Sequence, residues 1–326
     1  MTSGGATQLI WRPIERGDVP AWKRLLDAIE AVEQEDEHPT EAGLLDRFED
    51  PYVDMARGSL AAFDGDRMVG YHYMKARTAA APAHEFRQVG GVDPARRGTG
   101  LGVRLLGWAE GAARELHDER FPGKPLALVD GCVVGSAASE RLFAQLGYEP
   151  VRWYRNMVMD DLATAVSALP ESPVPDGVTF RVFAAERSAD ALRVRNDAFR
   201  DHYGMVPQTP EGWAHFTAGP AFRPDSSFVA YDTASGEPLG IVLAEEYPQE
   251  HGRELYVALV GTARAGRKRG IASALLSHAL REGLAVGCSS SSLGVDADSP
   301  TGAVGLYERL GYRAKQTYVE QRKLLG

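Results

Sequence analysis

Cysteine is nearly absent from this chain: its 326 residues include only Cys132 and Cys288. Two thiols exclude a disulfide framework and a multi-cysteine zinc site, and both stand beside apolar, strand-like runs that read as core. Long hydrophobic runs are missing too. No stretch approaches the roughly 20 apolar residues of a membrane-crossing helix, and Met1-Thr2-Ser3-Gly4-Gly5 has no signal-peptide apolar region. The expectations are a cytoplasmic location and no membrane partner. Positive charge is in deficit, with 36 Lys and Arg against 45 Asp and Glu, a net charge of −9. That argues against nucleic acid, whose phosphate backbone calls for clustered cations. His202 and His215 lack a metal-ligand spacing, so no metal is expected.

What is present is a repeat. Arg97-Gly98-Thr99-Gly100-Leu101-Gly102 is answered 170 positions later by Arg267-Lys268-Arg269-Gly270-Ile271-Ala272. Each follows a strand-like run and opens a helix-like one. Further on, Leu142-Phe143-Ala144-Gln145-Leu146-Gly147-Tyr148 is answered by Leu306-Tyr307-Glu308-Arg309-Leu310-Gly311-Tyr312. Two unlike motifs recurring in one order indicate a duplicated domain. The length suits two domains of about 150 residues, each able to bury a core. Hydrophobic content of 44% and charged content of 25% are ordinary for globular proteins.

Along the chain, Leu9–Pro13 reads as a strand, a helix follows from Asp18 to about Glu33, and a second helix covers 40–49. A hairpin turns at Asp64-Gly65-Asp66. Then come strand 84–93, helix 100–117, strand 125–132, helix 136–146 and strand 150–159. Residues 163–177, with three prolines and no sustained strand pattern, read as a linker. The order then restarts: strand 179–183, helix 186–201, a hairpin about Ala234-Ser235-Gly236, strand 253–262, helix 269–285, strand 291–296, helix 300–310 and strand 313–322. The expected domains are 1–162 and 178–326. Each is an α/β (α+β) domain with a mixed, mostly antiparallel sheet flanked by helices.

A helix preceded by glycines offers unpaired backbone N–H groups and the positive end of its dipole, which suits a pyrophosphate without a metal. Gly98, Gly100 and Gly102 let backbone approach such a ligand, and Gly270 and Ala272 keep the second copy small. Arg264, Arg267, Lys268 and Arg269 add a basic patch against the global charge. A Rossmann dinucleotide site calls for a glycine directly after the strand and an acidic residue about 20 positions on; here arginine leads.

In these motifs the chain resembles the GNAT superfamily of acyl-CoA-dependent N-acyltransferases, in tandem, best at 83–160 and 252–320. The resemblance implies acetyl-CoA as cofactor and R-x-x-G-x-[G/A] as its pyrophosphate element. It puts Tyr307 at the position whose phenol protonates the departing thiolate, where the first copy has Phe143, which donates nothing. The second domain is therefore the expected catalytic one. The resemblance offers Glu254 as base, with a water chain as the alternative. It also implies carbonyl-polarising N–H groups around Thr262, matched in the first copy by Val92-Asp93-Pro94. Ser299 stands where many members contact the cofactor through asparagine. Asp296 and Asp298 are further candidates for holding an amine.

Residues 196–216 alternate aromatics with His and Asp, either a pocket wall for a polar amine or a packed helix pair capped by Thr209. The acidic segment Glu33–Asp50 reads as a solvated face or a steering field for a cation. The leading function is an acetyl-CoA-dependent N-acetyltransferase acting on a small-molecule amine by direct transfer in a ternary complex. The length and tandem layout are also similar to those of mycothiol synthases, which acetylate a cysteinyl pseudo-disaccharide. A non-catalytic acyl-CoA-binding regulator and an aminoglycoside-modifying acetyltransferase are the other readings.

Overall fold

Local signals lay out the first half of the chain. In the computed structural model, which describes residues 8–169, 173–299 and 302–326, β1 (Ile10–Arg12) leads to α1 (Val19–Glu33) and α2 (Glu41–Asp46). Pro20 sits in the first turn of α1, where its missing N–H is no loss. Thr40 caps α2 by accepting from the Gly43 N–H at 3.0 Å. The hairpin of β2 (Ser59–Asp64) and β3 (Arg67–Ala80) turns at Gly65 and is followed by β4 (His84–Val92), α3 (Leu101–Arg120), β5 (Leu126–Val133), α4 (Ala137–Gln145) and β6 (Glu149–Met159).

The segment expected to be a linker is partly a helix. In α5 (Leu162–Ala168), Asp161 accepts from the Thr164 N–H at 2.9 Å. Leu162 is fully buried, and Ala165 and Val166 pack on the second core. The Ala-rich run therefore carries an apolar face that burial holds in helix. After it come β7 (Val178–Val182), α6 (Ser188–Ala198), α7 (Pro210–Ala218), β8 (Phe228–Asp232), β9 (Pro238–Gln249), β10 (Gly252–Thr262), α8 (Ile271–Ala285), β11 (Ser290–Asp296), α9 (Ala303–Arg309) and β12 (Arg313–Leu325). The expected helix start at 300–301 lies outside the described residues.

The described residues up to Val151 pack with Val319–Gly326 in one unit, and Arg152–Tyr318 form the other. The first unit orders its strands β1-β2-β3-β4-β5-β12, and the second β6-β11-β10-β9-β8-β7. Each is an antiparallel run with one parallel pair, β4 with β5 and β10 with β11. The sequence repeat suggests cuts at 162 and 178, but the compact units divide within β6 and β12. Val319 and Leu325 belong to the core of the first unit, Met157 and Met159 to that of the second. In the second unit, Leu275, Leu276 and Leu280 of α8 are fully buried against its sheet, each worth about 1.5–3 kcal/mol over exposure.

Candidate active site

β10 pairs with β9 along its length but with β11 only at Glu254↔Ser290, Leu255↔Ser291 and Tyr256↔Ser292. Past that point β11 continues against β6 as far as Asp296, and β10 and β11 part. The register of β10 on β9 also shifts between Val257 and Leu259. Ala258 is the extra residue of a β-bulge, which bends the strand and breaks the ladder. Beyond it, the Ala263 N–H bonds to the Leu239 carbonyl at 2.9 Å. Hydrogen bonding alternates along an antiparallel pair, so the N–H groups of Val260 and Thr262 point the other way, into the opening.

At the wide end of the opening the chain makes a turn at Arg264–Gly266 and enters α8 through Gly270. Gly270 has φ +75° with nothing within 4 Å of where a Cβ would sit, and no side chain caps the helix. The first N–H groups of α8, from Ile271 and Ala272, are thus available to an anion. Lys268 holds a left-handed φ of +64° and is exposed, as is Arg267, which donates to the Ala198 carbonyl at 3.2 Å. Two other expected cofactor residues are engaged elsewhere. The Arg264 guanidinium lies 2.8 Å from both oxygens of Asp201, and that of Arg269 is held by Asp232 at 3.4 Å and the Asp176 carbonyl at 3.3 Å. Ser299 lies in the turn after β11, its N–H on the Asp296 carbonyl at 3.1 Å.

Tyr307 of α9 is 7% exposed in the core cluster that holds Leu255, Leu293 and Tyr312. Burial pushes its phenol up to about 12, so it stays protonated at neutral pH. Its ring meets Tyr312 edge to face at 6.1 Å. Ser291 Oγ donates to the Leu255 carbonyl at 2.7 Å, which leaves Tyr312 to donate to Ser291 Oγ, also at 2.7 Å. Glu254 alternates to the opposite face of the sheet from Leu255. There it accepts from Gln249 Nε2 at 3.2 Å, and its charge is one of those that raise the Tyr312 phenol. On the Glu254 face, Tyr256 meets Tyr247 edge to face at 5.9 Å, and Tyr247 donates to Glu245 at 2.8 Å. Glu254, the expected base, thus lies in the stretch of β10 still paired with β11, on the face opposite Leu255, whereas Tyr307, the expected acid, belongs to the core cluster that holds Leu255.

Asp296 accepts a bidentate pair from Arg152, at 3.0 Å from Nε and 2.8 Å from a terminal nitrogen. Arg152 also lies 5.1 Å over the Tyr203 ring and 3.8 Å from Asp298. Both aspartates expected to hold an amine thus face a cation supplied by β6, and no sequence spacing links them to it. The 196–216 region answers both readings. Thr209 caps α7, accepting from the Gly212 N–H at 3.2 Å, and Trp213 is core at 3% exposure. A pocket of about 400 Å³ lies beside α6, lined by Asn196, Asp197, Met205 and Pro207 with Arg193, Arg195 and Arg200.

The first unit repeats the layout with substitutions that matter. β4 and β5 pair from His84↔Leu126 to Arg87↔Val129, but β3 and β4 keep one register from Val92 to Phe86, without the bulge of β10. Phe143 is buried where the second copy has Tyr307. Asp130, the next residue of β5 after its last pair with β4, has a carboxyl that burial raises to about 7. Pro94 opens a turn in which Asp93 accepts from the Ala95 N–H at 2.9 Å. Gly98 and Gly100 have φ of +74° and +89° with open space around them, and Gly100 precedes α3 without a side-chain cap. Arg97 is tied to Glu33 at 2.6 Å, and Thr99 Oγ1 donates to the Arg96 carbonyl at 2.6 Å. A Cβ at Gly102 would lie 2.9 Å from a Leu142 methyl, so this glycine also lets α4 pack closely on α3.

Sequence reasoning missed the bulge at Ala258, the Tyr312–Ser291 bond and the Arg152–Asp296 pair. The run Ser289-Ser290-Ser291-Ser292, unusual in a buried strand, was the available signal for the second.

The chain belongs to the GNAT acetyltransferase family: the Acetyltransferase (GNAT) family model matches residues 191–312. It is an N-acetyltransferase with acetyl-CoA as acyl donor. Similar proteins include the mycothiol acetyltransferases of Streptomyces avermitilis, 34% identical over 78% of this chain and 75% of that one, and of Nocardia farcinica, 32% identical over 79% of each. A GCN5-related N-acetyltransferase from Sphaerobacter thermophilus superposes with TM-score 0.76 at 26% identity, over 97% of this chain and 95% of that one. A tandem GNAT protein from the clavulanic acid biosynthesis pathway shares the fold, with TM-score 0.74 at 15% identity over 98% and 99% of the two chains. Among the described residues no helix is long and apolar enough to cross a membrane.

Proposed function

We propose that the second unit acetylates the amine of a small molecule by direct transfer within a ternary complex. The observation that carries this reading is the coincidence, in one unit, of the bulged and parted β10 with Tyr307, where the first unit has an unbulged β4 and Phe143. When bound, acetyl-CoA supplies an acyl group activated as a thioester. The open N–H groups at the start of α8, with Arg267 and Lys268 beside them, suit its pyrophosphate. The Val260 and Thr262 N–H groups, turned away from β9, would donate to the thioester carbonyl as it gains charge, an interaction typically worth 10²–10³ in rate. Glu254, directly or through water, takes the proton of the attacking amine, and Tyr307 returns one to sulfur as the C–N bond forms and the C–S bond breaks. Each proton transfer is typically worth 10²–10⁴. Carboxylates and phenols around Glu254 favour a cationic acceptor.

A second reading, favoured by the relatives named above, is that the acceptor is a mycothiol precursor, a cysteinyl pseudo-disaccharide. The experiment is an acetyl transfer assay across an amine panel that includes such a cysteinyl conjugate, run with wild type and Tyr307→Phe. Turnover lost in Tyr307→Phe supports the proposal, and the best acceptor decides between the readings. Tight acetyl-CoA binding with no turnover on any amine would show a binding protein instead.

A further inference from the structure

Away from that site, His84 and His117 face each other inside the first unit. His84, the first residue of β4, is 0% exposed, and His117, in the last turn of α3, is 4% exposed. Their Nδ1 atoms are 3.0 Å apart. His84 Nε2 lies 3.0 Å from the Arg77 carbonyl oxygen, and His117 Nε2 lies 2.9 Å from that of Lys124. The rings stack with centroids 5.2 Å apart, and Phe86 and Phe121 close on His84 at 4.7 and 4.6 Å.

Counting protons decides what this arrangement is. A carbonyl oxygen only accepts, so each Nε2 carries a hydrogen. A neutral imidazole has a single N–H, so two neutral rings would aim two lone pairs at each other across 3.0 Å. A third proton turns that contact into an N–H···N hydrogen bond of ordinary length. A metal does not fit: two zinc–nitrogen bonds of about 2.0–2.1 Å in tetrahedral geometry put their nitrogens roughly 3.3–3.4 Å apart.

We propose that His84 and His117 form a proton-binding site, holding one proton more than two neutral rings, which clasps the C-terminal end of α3 to the start of β4. Burial first, then the charges of its partner ring and Arg120, lower His84 to about 4, so His84 is the neutral acceptor. Nearby charged side chains on the elements that carry or contact the pair are engaged with one another. From β3, Arg77 is paired with Glu85 of β4 at 3.0 Å, and Arg322 of β12 is 3.6 Å from the same carboxylate. Glu119 of α3 is paired with Arg57. Arg120 opposes the charge, and Lys124 offers only its carbonyl to the rings.

The linkage has a definite sign. Above the unfolded histidine value of about 6.5, the native pair binds a proton that the unfolded chain does not. Its stabilisation is present at acidic to neutral pH and is lost as pH rises and the proton leaves.

The test is nitrogen NMR of the full chain labelled at histidine, with His84→Gln and His117→Gln spectra for assignment. At pH 7 the pair should show three protonated nitrogens and one bare one; two neutral rings would overturn the proposal. Hydrogen exchange needs no variant. The Phe121 N–H bonds to the His117 carbonyl and the His84 N–H to the Pro125 carbonyl, both at 2.8 Å. Their protection factors should fall about tenfold per pH unit above the unfolded histidine value for as long as the native pair keeps its proton, and level off once that proton is released. Protection that is flat from pH 6 to 9 would also overturn it.

Discussion

Tyr307 and Tyr312 stand edge to face in the core of the second unit, and only Tyr312 spends its hydroxyl on the protein, donating to Ser291 at 2.7 Å. Among the described residues the Tyr307 hydroxyl has no such partner. One phenol is anchored, and the other is the acid of the proposed reaction. Tyr307→Phe should lower kcat by about 10²–10⁴ and leave acetyl-CoA affinity unchanged in calorimetry. With the phenol near 12, no alkaline limb from this group should appear at ordinary assay pH. A limb near pH 9 that vanishes in Tyr307→Phe would contradict the assignment.

The two anion loops can be counted separately. Gly100→Glu and Gly270→Glu each place a carboxylate and a Cβ at a left-handed position before an uncapped helix. Titrating acetyl-CoA into each folded variant should lose a site in Gly270→Glu together with all turnover, whereas Gly100→Glu should keep turnover. The reverse pattern would move catalysis to the first unit.

Gly102 separates packing from binding. Gly102→Ala brings a Cβ to 2.9 Å from Leu142, an overpacking that costs about 1–3 kcal/mol. Denaturant unfolding should show the loss, with acetyl-CoA affinity little changed in the folded protein. An affinity loss without a stability loss would put Gly102 on the ligand side.

Asp130 gives a pH signature. Its folded carboxyl is raised to about 7, so the fold favours the protonated form; stability is lost progressively as pH rises from the unfolded value near 3.9 through 7. Asp130→Asn should therefore stabilise the chain at pH 8 and have little effect at pH 4. Equal effects at both values would show that the carboxyl is not buried in solution.

Removing Val319–Gly326 should unfold the first unit although the cut lies at the far end of the sequence. Val319 and Leu325 leave its core, and Glu320 and Lys323 leave their partners Arg87 and Glu110. Collapse of amide dispersion from residues 8–151 in NMR is the expected readout.

The sequence by itself determined most of the elements, though not α5, and the two glycine-led turns before α3 and α8, because those depend on neighbours in the chain. Turns at Gly65, the Thr40 and Thr209 caps, and the glycines before α3 and α8 act over a few residues, and the repeat makes each loop visible twice. It also set the Tyr307/Phe143 contrast. Only the tertiary structure decided where the last strands go, since pairing partners of β6 and β12 are chosen by burial across the sheet, not by local propensity. The same holds for the Ala258 bulge, a register difference between two strands, and for the engagement of Arg264, Arg269 and Asp296 by distant charges. Gly102 shows the division in one residue. Its place in the motif was legible, but its contact with Leu142, forty positions away, was not, because a methyl group that touches it must be brought there by the packing of two helices.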